Sequence, residues 1–229
     1  MKKNNKEAFL ALFYKPYTNI HSTTWGVNMF TGYKKTDLEI WLEQLYLDNN
    51  LSSPGDLTIE NISRKLNVKV EYLPGAKENV LWNERKIMIF LNPEKPETEI
   101  RELFFHELCH PLRHHGDQVK SVSSFRYLQE NQANQFVLYA AMPFFMIEQL
   151  ELPQDKTQCT HLLATTFNVT EALAKKRVEQ INRRILQTNI DNEFIRQQNN
   201  YKKSNDPSNW SHETKVIMKQ LYSQLKRVR

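Results

Sequence analysis

The chain has 229 residues, 40% of them apolar and 11% aromatic, and a formal net charge of +5. That is enough apolar material for one sizeable core or two small ones, and it argues against wholesale disorder. Only five glycines occur, which disfavours Gly-rich phosphate-binding loops and all-β folds with many tight turns, and the longest apolar run, Phe136 to Ile147, is broken by Pro143 and too short to span a bilayer.

At the N-terminus, Lys2, Lys3 and Lys6 precede an apolar stretch from Ala8 to Tyr14. Lys15 and Pro16 end that stretch and no small-residue cleavage site follows, so the expectation is a cytoplasmic protein with no membrane partner. The first 35 residues show scattered aromatics without a period. Thr36 or Asp37 can cap a helix through Leu47, where Leu38, Trp41, Leu42, Leu45 and Tyr46 recur at helical spacing. We take residues 1–53 as an N-terminal helical extension. The stretch Ser52 to Asp56 reads as a turn, and a short helix is expected from Thr58 to Leu66.

A β-rich patch follows. Val68 and Val70 alternate with Lys69 and Glu71, and Val80–Trp82 with Lys86–Leu91 reads as a hairpin around Asn83, Glu84 and Arg85. From Glu97 a helix places Ile100, Leu103, Phe104 and Leu108 on one face, and another is expected from about Ser124 to Met142, stopped by Pro143. A helix-turn-helix-like pair spans Lys156 to Leu186, and a basic amphipathic helix follows Ser211. Helices dominate and one small sheet precedes them, an α+β pattern rather than alternating βαβ units. Residues 200–229 carry seven basic side chains against Asp206 and Glu213, a tail that can meet nucleic acid but more often is a solvated surface. Cys109 and Cys159 are expected to be buried, unpaired thiols.

The chemistry concentrates in Phe104-Phe105-His106-Glu107-Leu108-Cys109-His110, a match to HExxH. On a helix, positions i and i+4 project to one side, so His106 and His110 can grip one metal ion. Zn2+ suits neutral imidazole nitrogens with an open fourth position, and Glu107, beside that face, can act as general base on a water there. The extension HxxGxxH is closed, because Arg113 and Gly116 stand where it needs glycine and histidine. A carboxylate on the following helix is the other route to a third ligand. Glu130, twenty residues after His110, is well placed for it. Asn134, one turn further, could accept a hydrogen bond from a ligating imidazole. His114 and His115 read as surface or cleft histidines, because Pro111 tends to kink the helix before them. No residue pattern marks an oxyanion donor.

With HELCH, then Glu130-Asn131-Gln132-Ala133-Asn134-Gln135-Phe136, then Ala141-Met142-Pro143, the chain resembles the ImmA/IrrE family of metallopeptidases. Similarity covers about residues 56–187, with Cys109 where glycine is more usual and Tyr139-Ala140-Ala141 in place of a bulkier aliphatic run. The resemblance implies a mainly helical, zincin-like domain with a small sheet at 54–150. A helical, helix-turn-helix-like region at 151–190, read from the residues themselves, would pack on it, followed by a basic helical tail at 191–229 that lies outside the similar span. It also implies a zinc endopeptidase whose protein substrate is a helix-turn-helix repressor of a mobile element or stress regulon. The chief competing reading is a DNA-binding regulator with a structural or sensory metal site. It would use Lys175, Lys176, Arg177, Arg183 and Arg184 as an exposed basic face. A small helical bundle closing the domain is preferred for that segment, so nucleic acid is not the favoured partner. An inactive, partner-binding scaffold is the third reading.

Overall fold

A computed structural model describes residues 30–114 and 123–227, together with the side chains of all but 200–205 and 226–227. The expectations for the first 29 residues and for His115 lie outside the described residues.

The first helix, α1 (Asp37–Asp48), is opened by a capping box. Thr36 Oγ1 accepts the Glu39 N–H at 3.1 Å and Glu39 Oε2 accepts the Thr36 N–H at 2.8 Å. Leu42 and Tyr46 of this helix are buried, and the Tyr46 hydroxyl donates to the Ala140 carbonyl at 2.9 Å, tying α1 to a helix 94 residues away. Thr58 caps the short α2 (Ile59–Lys65) as expected.

Three strands follow: β1 (Val68–Tyr72), β2 (Asn79–Trp82) and β3 (Ile87–Leu91). The expected hairpin joins β2 to β3, antiparallel, with Trp82 opposite Ile87. Asn83 fixes its turn by accepting the N–H groups of Arg85 and Lys86 on its side chain. The period-two pattern of β1 carried no information about its partner. It pairs parallel to β3, giving the order β1-β3-β2 and leaving β2 on one edge.

Helix α3 (Glu97–Arg113) packs on β2 and β3, and buries Ile100, Phe104, Phe105 and Leu108. It continues through Pro111 for a further two residues, because a proline this close to the end removes only a final-turn hydrogen bond. Helix α4 (Ser123–Ala141) packs along α3 with Ala133, Phe136, Val137, Ala140 and Ala141 buried, the three alanines permitting close approach. Met142 and Pro143 lead into α5 (Phe144–Ile147), a single turn with every side chain buried that periodicity gave no hint of.

The expected helix pair is α6 (Lys156–Phe167) and α7 (Glu171–Asn205), joined through Asn168 in the left-handed conformation. Helix α7 runs unbroken for 35 residues and across residue 190. Leu173, Ala174, Val178 and Ile181 join the core, whereas Leu186, Ile190 and Phe194 are exposed. Arg177 corrects the reading of an exposed basic face: it is fully buried. Its Nη2 donates to Glu39 Oε1 at 2.9 Å and its Nε to the Met142 carbonyl at 3.1 Å. After a 3₁₀ turn at Pro207–Asn209, α8 (His212–Arg227) carries Ile217, Leu221 and Leu225 on one stripe, all exposed. Among the described residues no helix is long and apolar enough to cross a membrane, and Cys109 and Cys159 are free, buried thiols.

Candidate metal centre

The helical spacing of His106 and His110 on α3 brings the two rings to 5.3 Å between centroids. Glu130, on the facing α4, reaches both. Its Oε2 lies 3.1 Å from His106 Nε2, and its Oε1 lies 3.9 Å from His110 Nε2. One ligand atom from each of the three residues lies within 4.8 Å of the other two. Bonds of ~2.0–2.1 Å at tetrahedral angles would place two ligand atoms ~3.3 Å apart, so a cation fits with shifts of an ångström or less. Two imidazoles and a carboxylate form a mixed N/O set, and three protein donors leave a fourth position open.

Local electrostatics favour the same use. His110 is pushed down to about 4, by burial first and then by the neighbouring His106 and His114, against the opposing pull of Glu130. It is therefore neutral at physiological pH, with a lone pair to give. The Trp82 ring of edge strand β2 lies parallel to the His110 ring, 6.5 Å away between centroids, forming one wall of the site. Glu107, half-buried, is pushed up to about 7 by burial first and then by the Glu130 and Glu78 carboxylates. A carboxyl poised near neutrality can both take and return a proton.

Of the residues that the motif and spacing singled out, the structure brings together the donor atoms of His106, His110 and Glu130, and the Glu107 carboxyl feels the Glu130 charge. It does not add Asn134, which is exposed and, among the described residues, makes no hydrogen bond to either imidazole. His114, read from sequence as a surface or cleft histidine, is buried instead, with its Nδ1 3.0 Å from His110 Nδ1. Its titration is lowered, by burial first, with the Gln132 amide and the Glu130 carboxylate opposing. A histidine four residues beyond the second ligand was the available signal, discounted because of Pro111; the helix did not break there.

Comparison with known proteins agrees with this geometry. The family profile of the IrrE N-terminal-like domain matches residues 63–179, a span that contains the whole site. The chain is 36% identical over 147 residues to the phage-like element PBSX protein XkdA of Bacillus subtilis (strain 168), covering 64% of this chain and 74% of that protein. It is also 28% identical over 159 residues to the uncharacterized protein YqaB of the same organism, covering 68% of this chain and 90% of YqaB.

Proposed function

Because the chain belongs to the family of the IrrE N-terminal-like domain, with its metallopeptidase-like fold, we propose that it is a zinc-dependent endopeptidase that cleaves a helix-turn-helix transcriptional repressor. The observation that carries the reading is the convergence of His106, His110 and Glu130 beside the raised carboxyl of Glu107. The setting within a mobile element is carried over from the relative named for a phage-like element.

His106, His110 and Glu130 would hold a zinc ion, which would supply Lewis acidity and make a water at the site easier to deprotonate. Glu107 orients the attacking water and takes its proton as the oxygen adds to the scissile carbonyl carbon. The same carboxyl then delivers that proton to the departing amide nitrogen. The C–N bond breaks, and a carboxylate and an amine leave. Trp82 shields one side of His110 from bulk water, which strengthens the interactions inside the site. The alternative of a DNA-binding regulator loses one of its five cations, because the Arg177 guanidinium is buried and committed to Glu39.

The test is co-expression with helix-turn-helix repressors from the same genome, comparing the wild type with Glu107→Gln. Loss of the full-length repressor with the wild type alone is the expected result. Equal loss with both proteins would remove Glu107 from the chemistry, and no loss with either would remove this substrate class.

A further inference from the structure

The helix that carries both ligand imidazoles ends at Arg113, and His114 follows as its cap. There the backbone turns extended (φ −108°, ψ 132°) while the His114 N–H still bonds the His110 carbonyl at 2.9 Å. This turn folds the His114 ring back against His110. The two ring centroids are 5.1 Å apart and the two Nδ1 atoms 3.0 Å, with both residues buried, at 3% and 7% exposure.

Two ring nitrogens at that distance share one proton: one donates and the other accepts. The direction is set by the other side of His110. Its Nε2 faces Glu130, and a neutral imidazole that gives its Nε2 lone pair to a cation carries its proton on Nδ1. His114 Nδ1 must then accept, which forces the His114 proton onto Nε2. That Nε2 is itself buried and makes no hydrogen bond of normal geometry, although the Gln132 side chain acts on the ring. A side chain serving only to fill this space would do so better as an apolar ring, which has no N–H to strand. The polar group is retained at a cost in stability, and the hydrogen bond of normal geometry that its ring makes goes to His110.

We infer that His114 is the positioning residue for His110, accepting its Nδ1 proton and so fixing the tautomer and ring orientation that present Nε2 to the cation. The inference rests on the metal-centre reading above. A carboxylate, a carbonyl or a water commonly does this for ligating histidines, and the exposed Asn134 does not. An imidazole acceptor orients the ring without adding negative charge to a site that already holds Glu107 and Glu130.

The experiment measures zinc affinity of the metal-stripped full chain by competition with a chromophoric chelator, with circular dichroism melting as the control for folding. His114→Phe, which keeps the buried ring and removes the acceptor, is expected to melt at or above the wild-type temperature and to bind zinc about 10–100-fold more weakly. His114→Gln, which restores an acceptor oxygen, is expected to recover part of that loss. If the phenylalanine does not fold, His114→Ala makes the same comparison without added bulk. Wild-type zinc affinity in the apolar variant, with binding still abolished by His106→Ala, overturns the role of His114 alone. A wild-type chain that binds no zinc overturns the metal centre as well.

Discussion

Arg177 and Glu39, 138 positions apart, meet as an ion pair with almost no exposure on either side: Nη2 to Oε1 is 2.9 Å, at 0% and 3% side-chain accessibility. The Tyr33 hydroxyl donates to the same Oε1 at 2.5 Å, and Gln180 accepts from Arg177 Nη1 at 2.5 Å, so both charges are bonded on several sides. Removing one partner leaves the other charge buried and uncompensated. Arg177→Met is therefore expected to cost about 3–5 kcal/mol in urea denaturation, and the double variant Arg177→Met/Glu39→Leu less than the sum of the two singles. Additive losses would show that the two side chains do not interact.

The pair also sets a pH dependence. Burial by itself would raise the Glu39 carboxyl. The Arg177 guanidinium and the hydrogen bonds from Tyr33, Thr36 and Arg177 outweigh it, and the net value lies below the ordinary 4.5. A carboxyl lowered in the folded state contributes stability above its unfolded value, and that contribution is lost as pH falls through the folded one. Wild-type urea midpoints should fall more steeply than those of Glu39→Gln as pH drops below 4.5. Parallel curves would contradict the linkage.

Glu130, the third donor of the proposed centre, sits at the lip of the site, with about half of its side chain exposed. Glu130→Ala should therefore leave the metal-free protein's stability within about 0.5 kcal/mol while abolishing stoichiometric zinc in equilibrium dialysis. Retention of one zinc per chain would mean that another residue completes the shell.

Phe104 is fully buried on α3, two residues before His106, with its ring against Phe105. Phe104→Ala should cost about 3–5 kcal/mol in thermal or urea unfolding. A loss under about 1 kcal/mol would mean that the core refills around it.

The stripe of Ile217, Leu221 and Leu225 on α8 is exposed. Truncation after residue 205 should accordingly leave the melting transition of the body unchanged, within the roughly 0.5 kcal/mol typical of surface changes. A clear drop would place that helix on the body in solution.

The site was legible in the sequence because its chemistry is local. HExxH fixes two imidazoles by helical geometry, and Glu130 follows from one helix returning beside another. The hairpin was legible too, since both strands and their Asn83 turn lie within a dozen residues. What stayed hidden depends on distant partners. Periodicity placed Leu42 and Tyr46 on the inner face of α1 but not Glu39, since a carboxylate is buried only where a cation waits, and that cation is 138 residues away. Arg177 was misassigned to a solvated face for the same reason. The parallel pairing of β1 with β3 was hidden because alternation marks a strand without naming its neighbour.

The clasp between α1 and α7 has a practical corollary for anyone trimming the gene. The stretch recognised as the family domain, residues 63–179, begins after Glu39 and Tyr46 and ends just after Arg177. A fragment cut at those borders would keep the guanidinium, discard its counter-ion, and leave the Ala140 carbonyl without the Tyr46 hydroxyl. Homology borders and folding borders differ here, and the shortest autonomous unit has to start upstream of Tyr33 and run past Gln180.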